Sequence, residues 1–482
     1  NKDVSERFSD QTIHEIVRLW AFYAPALCLY CRLRCARCWQ MIVEDNRMKI
    51  ILNFLKSQQT GRIIAVGFML VILIGSGLLM LPCSIQEGVT VRYIDALYTS
   101  TSAVCVTGLI AIDAGDTFTP LGQFFLGVLI QIGGLGVTSV GAGIMIAMGR
   151  RIDLKGRTLI RDGMNVGSGN GLVRLIKSVF LSTLTFELVG AFFSFLVFIQ
   201  DYQLPKALGL SLFHSVAAFN NSGFDILGGG QNLIPYQSNI LLNLTTCLLI
   251  IFGGIGFPVI RELVVYKCRW RKLSMHARAV ISVSVVLLIV GTVLIRMTEQ
   301  VDWLGAFFYS VSARTAGFST YPLSGFSSAG LLLIIVLMFI GASPGSTGGG
   351  IKTSTFFVLL HGIKASATNR AEKAFHYSIP KDAFRKAAVI TLLALTVILM
   401  GTYAMVVLEP HLPFIDVLFE ITSAFGTVGL STGITSGLCD GSKLLSILII
   451  YIGRLGPLTI ASLWYFSIGE RVRYPDGNIS IG

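Results

Sequence analysis

The segment Ser102–Leu109, SAVCVTGL, decides the fold, because variants of it recur three more times along the chain. The other copies are AAFNNSGF at 217–224, SARTAGF at 312–318 and SAFGTVGL at 423–430. Each copy is rich in small residues and ends on a glycine followed by leucine or phenylalanine. The glycines at 108, 223, 317 and 429 lie 115, 94 and 112 residues apart. A unit of roughly a hundred residues that occurs four times predicts a ring of repeats.

The composition places the chain in a lipid bilayer. Of its 482 residues, 53% are hydrophobic and only 13% are charged, and the mean hydropathy is +0.72. A soluble protein of this length needs charged surface on every module, whereas the charges here are crowded into short gaps between apolar runs. A soluble multidomain architecture is therefore excluded.

Eight apolar runs are each long enough to cross roughly 30 Å of hydrocarbon. They lie near 63–81, 121–148, 174–199, 239–260, 279–297, 331–360, 384–408 and 444–468. Within each pair of runs, a shorter segment of ten to fourteen residues leads into a glycine phrase; these segments are 93–104, 206–219, 303–313 and 414–425. Such segments are too short to span and predict re-entrant half-helices.

The loops after these half-helices leave backbone carbonyls unpaired at membrane depth. Such carbonyls are costly in lipid and are tolerated where they line a water-filled cavity. Four loops that converge on one axis supply rings of oxygens that can replace the hydration shell of a monovalent cation. Glycine permits the left-handed backbone that this geometry requires. A single glycine would be explained as well by tight helix packing, but a fourfold recurrence favours the ring.

Basic residues sort by loop, and this sorting predicts the orientation. The gaps 149–178, 261–278 and 361–387 hold seven, six and six Lys or Arg residues, whereas the four alternate gaps hold one, one, one and none. The basic gaps are therefore cytoplasmic. The formal net charge of +12 does not indicate nucleic-acid binding, because the charges are not gathered on one face with aromatic residues. The acidic outer gaps predict either cation steering or simple solvated charge.

Two further motifs, GASPGSTGGGIKTST at Gly341–Thr355 and YIGRLGPLT at Tyr451–Thr459, complete a resemblance. From about Gly61 to Glu470 the chain resembles the Trk/Ktr/HKT superfamily of potassium transporters, and most closely the KtrB and TrkH membrane subunits. The resemblance implies an all-α polytopic membrane protein with four pseudo-symmetric M1–pore loop–M2 repeats around a central ion pore. The implied ranges are an N-terminal segment of interfacial or partial membrane helix at 1–60 and repeats at 61–150, 151–272, 273–375 and 376–482.

By this resemblance, the four glycines form a potassium-selective filter. One spacing departs from the pattern, because Ser312 lies five residues before Gly317 whereas the corresponding small residues lie six before theirs. We therefore expect a differently shaped loop in the third repeat. The implied filter residues are Val106, Thr107, Gly108, Asn221, Ser222, Gly223, Thr315, Ala316, Gly317, Thr427, Val428 and Gly429.

The glycine-rich segment 341–355 interrupts the sixth apolar run and breaks its helix. The resemblance implies an intramembrane gate under the filter, and a passive kink is the alternative. A phosphate-binding loop is disfavoured, because Ile351 separates Gly350 from Lys352 and no strand precedes the motif. The implied gate residues are Gly345, Ser346, Thr347, Gly348, Gly349, Gly350 and Lys352.

A charged residue in the middle of an apolar crossing is costly and by default functional. Arg454 is such a residue, and the resemblance implies that it projects into the permeation path as a fixed positive charge. The alternative is pairing with a carboxylate such as Glu187 or with carbonyls of the gate. Glu187 itself and His214 are read as packing residues.

Transport of K⁺ without a cofactor in this chain is the implied activity, with the protein in the cytoplasmic membrane and its C-terminus in the cytoplasm. The implied partners are a second copy in a homodimer, membrane lipid and a cytosolic RCK-type nucleotide-binding subunit. Open alternatives are a self-contained cation channel and a Na⁺-coupled or Na⁺-permeable transporter. An enzyme is disfavoured, because His14–Glu15 begins a motif without the second histidine of a zinc protease. The cluster Cys28, Cys31, Cys35 and Cys38 is a weak candidate for a metal site.

Overall fold

The computed structural model describes residues 60–148, 154–163, 172–370, 372–457 and 459–460. The predictions for residues 1–59 and for the cysteine cluster within them lie outside the described residues, as does the tail beyond residue 460. The regular secondary structure of the described part is almost entirely helical. One short hairpin pairs β1 (Lys373–Ala374) with β2 (Tyr377–Ser378).

Each repeat contains a first helix, a half-helix and a second helical segment, as the sequence predicts. The first repeat has α1 (Thr60–Leu79), α2 (Tyr93–Val104), a short α3 (Ala114–Thr117), α4 (Pro120–Leu135) and α5 (Val137–Ala147), followed by α6 (Leu154–Gly163). The second has α7 (Leu172–Phe198), α8 (Leu204–Phe219), α9 (Ile240–Ile255) and α10 (Phe257–Val265). The third has α11 (Met275–Thr298), α12 (Trp303–Ser312), α13 (Ser328–Phe339) and α14 (Thr353–Thr368). The fourth has α15 (Lys381–Leu408), α16 (Phe414–Gly426) and α17 (Asp440–Leu455). Short 3₁₀ turns lie at Ile234–Tyr236, Trp270–Lys272, Leu323–Gly325 and Thr435–Gly437.

The first helix of every repeat is long and apolar enough to cross a membrane. These four helices leave much of their apolar surface uncovered, as Leu181, Ile289 and Leu399 do at 68%, 59% and 65% exposure. Apolar side chains in such numbers are stable outside a core only against lipid. The chain is therefore a polytopic membrane protein.

The second helical segments are interrupted, where the sequence predicts continuous crossings. Helices α4 and α5 meet at Gly136 with a bend of 95°, and α9 and α10 meet at Gly256 with a bend of 98°. Helix α17 likewise ends at Gly456. All three glycines have positive φ, +84°, +97° and +87°, a backbone that other residues adopt only with strain. One glycine in a long apolar run gives no hydropathy signal, so the bends escape prediction.

The third repeat is broken differently. Helix α13 ends at Phe339 and α14 begins at Thr353, so thirteen residues between them, 340–352, form an extended loop inside the crossing. The loop doubles back, because Ile340 and Ile351 pair as an isolated parallel bridge. We call residues 340–352 the intramembrane loop. Its presence agrees with the prediction that no straight helix survives this segment.

Candidate ion filter and gate

Each half-helix is clamped against the first helix of its repeat. Ser100 donates to the carbonyl of Ile72 at 2.7 Å, and Ser215 and Ser310 donate in the same way to the carbonyls of Glu187 and Leu288. A glycine follows each acceptor by three residues, namely Gly75, Gly190 and Gly291. A Cβ added at any of them would overlap the serine hydroxyl. The serine and glycine thus allow close approach of the two helices. In the fourth repeat Gly401 packs on Ile421 instead.

A second clamp joins each half-helix of repeats 1, 2 and 4 to the bend in its second helix. Gly133, Gly253 and Gly453 occur three residues before the bend glycines. A Cβ on any of them would overlap the carbonyl at the end of the half-helix, that of Val104, Phe219 or Phe425. The sequence analysis missed both sets of clamping residues. Part of their signal is present, because the three serines lie eight, eight and seven residues before the filter glycine of their repeat.

All four filter segments share one backbone pattern. The residue two before each filter glycine is left-handed, with φ of +56°, +57°, +83° and +49° at Val106, Asn221, Thr315 and Thr427. The glycines themselves have φ of +88°, +69°, +77° and +93°. Every predicted filter residue is fully buried among the described residues. Left-handed residues at these positions are uncommon and mark a backbone held by its surroundings.

The four segments are neighbours in cyclic order. A Cβ added to Gly108 would meet the carbonyl oxygen of Ser222, and one on Gly223 would meet that of Ala316 at 2.6 Å. In the same way, a Cβ on Gly317 would meet the carbonyl oxygen of Val428, and one on Gly429 would meet that of Thr107, which completes the ring. The structure therefore brings the twelve predicted filter residues together around one axis. A side chain on any filter glycine would therefore displace the carbonyl that precedes the filter glycine of the next segment.

The third segment is wound more tightly, as its shorter spacing predicts. In the other three segments, the amide of the residue before the glycine donates to a carbonyl five residues back, as from Thr107 to Ser102 at 2.7 Å. In the third, Ala316 donates to Ser312, four residues back. Arg314 is buried there and donates to the Ser284 carbonyl and hydroxyl. Arg314 is the single basic residue that the sequence analysis counted in the gap 299–330. Because it is buried, assigning it to the outer loop was wrong.

Asn232, which the sequence analysis did not single out, ties an outer loop to two filter segments. Its side-chain amide donates to the carbonyl of Gly223 at 3.3 Å, and its side-chain oxygen accepts from the amides of Leu233 and Ser319. Asn232 is buried and has φ of +52°. A lone asparagine in a Gly- and Asn-rich loop carries no sequence signal of this role.

The outer mouth of the filter is acidic where the first and second repeats meet. Asp225 follows Gly223 by two residues, where the other repeats have Ile110, Ser319 and Ser431. Burial, reinforced by repulsion from Asp113 and Asp116, raises the pKa of the Asp225 carboxyl to about 7. The two neighbouring carboxylates accept hydrogen bonds from the amides of the glycine run at 228–230.

A buried ion pair closes the ring between the first and last repeats. Lys443 of α17 donates to Asp95 of α2 at 2.7 Å, and their side chains are 3% and 8% exposed. Arg92 reaches the same carboxylate and also Asp440, but its side chain is 58% exposed. Ion pairs at the surface contribute little, whereas a buried carboxylate without a partner is strongly destabilising. Lys443 is therefore the essential partner of Asp95.

The intramembrane loop lies directly beneath the filter. Three backbone hydrogen bonds join it to the bend of the second repeat: Ser343 donates to Gly254, Thr347 donates to Gly253, and Phe257 donates to Gly345. Lys352 folds back and donates to the carbonyl of Gly348 at 2.7 Å. The bend thus exposes backbone groups that the loop satisfies. The predicted gate residues are together, and they contact the second, third and fourth filter segments.

Arg454 donates to the carbonyls of Thr347 in the loop and Gly133 in α4. The sequence analysis left two kinds of partner open for the Arg454 guanidinium, a carboxylate such as Glu187 or backbone carbonyls. In the structure its partners are carbonyls. Glu187 instead accepts from the side-chain amide of Asn220 at 3.1 Å. His214 hydrogen-bonds to Thr246 and packs on Phe318, as expected of a packing histidine.

Comparison with known proteins agrees with this architecture. A family model described as TrkH, cation transport protein, matches residues 51–467. The Ktr system potassium uptake protein B of Bacillus subtilis is 35% identical over 434 residues, which are 87% of this chain and 96% of that protein. The protein of the same name from Vibrio alginolyticus is 36% identical, over 87% of this chain and 94% of its own length.

Two further proteins match this chain, one by sequence and one by structure. The potassium/sodium uptake protein NtpJ of Enterococcus hirae is 34% identical, over 87% of this chain and 97% of its own length. The crystal structure of the potassium transporter TrkH from Vibrio parahaemolyticus superposes with a TM-score of 0.67 at 18% identity and covers 85% of both chains, which supports the fold. The chain belongs to the TrkH family of cation transport proteins.

Proposed function

We propose that this protein takes up K⁺ across the cytoplasmic membrane through the ring of four filter segments. The family consists of cation transporters, so the chain is not an enzyme. The observation that carries the proposal is the cyclic contact of each filter glycine with the carbonyl of the next segment. Carbonyls that are fixed in a ring can replace the hydration shell of a bare K⁺ ion at little reorganisation cost.

The intramembrane loop is the proposed gate. It lies under the filter, is held by Arg454 and by the bend at Gly256, and contains the positive charge of Lys352. A loop in this position obstructs the path between the filter and the cytoplasm. Arg454 supports the closed position through the Thr347 carbonyl and adds a fixed positive charge next to the path.

Permeation by Na⁺, or coupling to it, is the second candidate. The relative named potassium/sodium uptake protein is almost as similar to this chain as the potassium uptake proteins are. A single layer of filter glycines leaves the choice between the two ions to a few carbonyl positions.

Control by a cytosolic nucleotide-binding subunit and assembly as a homodimer complete the proposal. The gaps assigned to the cytoplasm contain nineteen of the 38 Lys and Arg residues, and among the described ones Lys267, Arg269 and Arg271 are exposed. Such a face is complementary to an acidic partner surface. By the same charge asymmetry the C-terminus lies in the cytoplasm.

Growth rescue and liposome flux test the proposal together. The full chain should restore growth at limiting K⁺ in bacteria that lack their own uptake systems. The purified protein should pass K⁺ and Rb⁺ into liposomes far faster than Li⁺, and the rate for Na⁺ decides the second candidate. Gly77→Ser is a matched control, because Gly77 lies in α1 with nothing within 4 Å of an added Cβ. Equal rates for all four ions would contradict the potassium filter.

A further inference from the structure

A ring of four side chains lies immediately below the filter. They belong to Val106, Asn221, Thr315 and Thr427, the left-handed residues two before each filter glycine. All four are fully buried. Three have polar side chains and one does not. We call these four residues the sub-filter ring.

The intramembrane loop contacts the three polar members of the sub-filter ring. The amide of Gly349 donates to the Thr427 hydroxyl at 3.0 Å. The hydroxyl of Thr347 is shared between the Asn221 side-chain oxygen at 3.3 Å and the Phe219 carbonyl at 3.4 Å, and the Asn221 amide donates onward to the Thr315 hydroxyl at 3.1 Å. The result is a hydrogen-bonded arc under three of the four repeats.

Two glycines allow the loop to come this close. A Cβ on Gly348 would overlap the hydroxyl of Thr315, and one on Gly349 would overlap that of Thr427. A side chain at either position would displace the hydroxyl of the facing threonine. The fourth side of the ring is Val106, whose side chain can neither donate nor accept a hydrogen bond.

The loop therefore has two separate attachments. One is made of backbone bonds to Gly253, Gly254 and Phe257 at the bend of the second repeat. The other is the polar arc of the sub-filter ring. Losing the arc leaves the backbone attachment and the Arg454 bond in place, so it weakens the closed position without unfolding the loop. A buried hydrogen bond in such an arc biases a two-position equilibrium directly.

We propose that Asn221, Thr315 and Thr427 are positioning residues that hold the intramembrane loop closed beneath the filter through their hydrogen-bonded arc. The inference rests on the proposed function, since it assigns the closed state of that same gate. Thr427 makes the shortest direct bond to the loop and is the residue on which closure depends most. Val106 makes the arc incomplete, so that the loop is held from three sides.

Thr427→Val tests the inference, because valine keeps the shape of threonine and removes only the hydroxyl. A hydrogen bond of ordinary net strength shifts a two-state equilibrium about fivefold, so K⁺ flux through reconstituted full-length protein should rise about fivefold. Thr347→Val removes the longer bond from the loop side and should raise flux by a smaller factor. The ratio of K⁺ to Na⁺ permeability should stay at the wild-type value in Thr347→Val, because Thr347 belongs to the intramembrane loop and not to the filter.

Two variants serve as controls. Thr422→Val removes a buried hydroxyl of α16 that has no hydrogen-bond partner among the described residues, and its flux should equal that of the wild type. Thr427→Ser retains the hydroxyl, and its flux should be closer to that of the wild type than the flux of Thr427→Val is, which a purely steric role of the methyl group would not predict. Thermal unfolding in detergent should be the same for Thr427→Val and Thr422→Val within a few degrees.

The outcomes separate this inference from the function on which it rests. If wild-type protein passes K⁺ selectively but Thr427→Val and Thr347→Val have the flux of Thr422→Val, the arc does not hold the loop. If flux rises and the K⁺ to Na⁺ ratio falls in Thr347→Val, the residues shape the filter and not the gate, and the inference is overturned. Wild-type protein without K⁺ flux would contradict the proposed function itself.

Discussion

The outer and inner halves of the pore are built on opposite plans. On the outer side, four filter segments repeat one backbone pattern, and each glycine packs on the carbonyl of its neighbour. On the inner side, three second helices bend or end at Gly136, Gly256 and Gly456, while the third repeat alone inserts a loop of thirteen residues. The proposed filter requires four similar segments around one ion, whereas the proposed gate requires only one repeat to differ.

Deleting the loop is the most drastic way to break this comparison. Removal of Gly341–Thr355 should open the inner side while the outer ring keeps its four glycines. Flux of K⁺ should rise at least about tenfold, since several hydrogen bonds that favour the closed position are lost together. The ion preference should not change. Stopped-flow efflux from liposomes measures both, and unchanged flux in a folded variant would exclude the loop as the gate.

Lys443→Met should damage the outer ring by opening its closure between the first and last repeats. Loss of the ammonium leaves the buried Asp95 carboxylate facing a neutral side chain, at a cost of about 3 kcal/mol. Thermal unfolding in detergent should show a clearly lower midpoint. Arg92→Gln removes the other cation that contacts Asp95, but one that is exposed, and its midpoint should stay close to wild type. Equal midpoints for both variants would contradict the claim that Lys443, and not Arg92, is the essential partner of Asp95.

Replacing a bend glycine with alanine allows a comparison of two equivalent positions in the inner half of the pore. Gly136→Ala and Gly256→Ala both place a Cβ on left-handed backbone, which costs about 1–3 kcal/mol of strain. Only at Gly256 would that Cβ meet the loop, 2.7 Å from the Pro344 carbonyl. Basal K⁺ flux should therefore rise severalfold in Gly256→Ala and stay near wild type in Gly136→Ala. Equal flux in the two variants would mean that the loop is not seated on this bend.

The smallest expected effect concerns Asp225, because the equivalent positions of the other repeats have no acidic residue. With a pKa of about 7, the Asp225 carboxyl is negative above that pH and neutral below it. Uptake at subsaturating K⁺ should fall about twofold between pH 8 and pH 6, because the local negative potential weakens. Asp225→Asn should remove this component of the pH dependence. A wild-type rate that rises on acidification would contradict the assignment.

The sequence predicts the outer half better than the inner half. The half-helices begin and end within two residues of their predicted bounds, because turn residues precede them and the glycine phrases end them. Local pattern is sufficient for these elements. The bends are missed because a single glycine hardly changes the hydropathy of an apolar run.

Contacts between repeats escape prediction for a different reason. The bond from Thr347 to Asn221 joins residues 126 positions apart, and that from Arg454 to Gly133 spans 321. Each residue alone has several plausible partners, as the two alternatives for Arg454 illustrate. Only the folding of four repeats around one axis selects among them.

The most direct test of the central claim is the K⁺ to Na⁺ permeability ratio of four single variants, Gly108→Ser, Gly223→Ser, Gly317→Ser and Gly429→Ser, in liposomes. Each added side chain would displace a carbonyl of the adjacent segment, so the account predicts that all four variants lose discrimination, while Gly77→Ser retains it. A wild-type ratio in any properly folded filter variant would contradict a ring in which four glycines coordinate one ion.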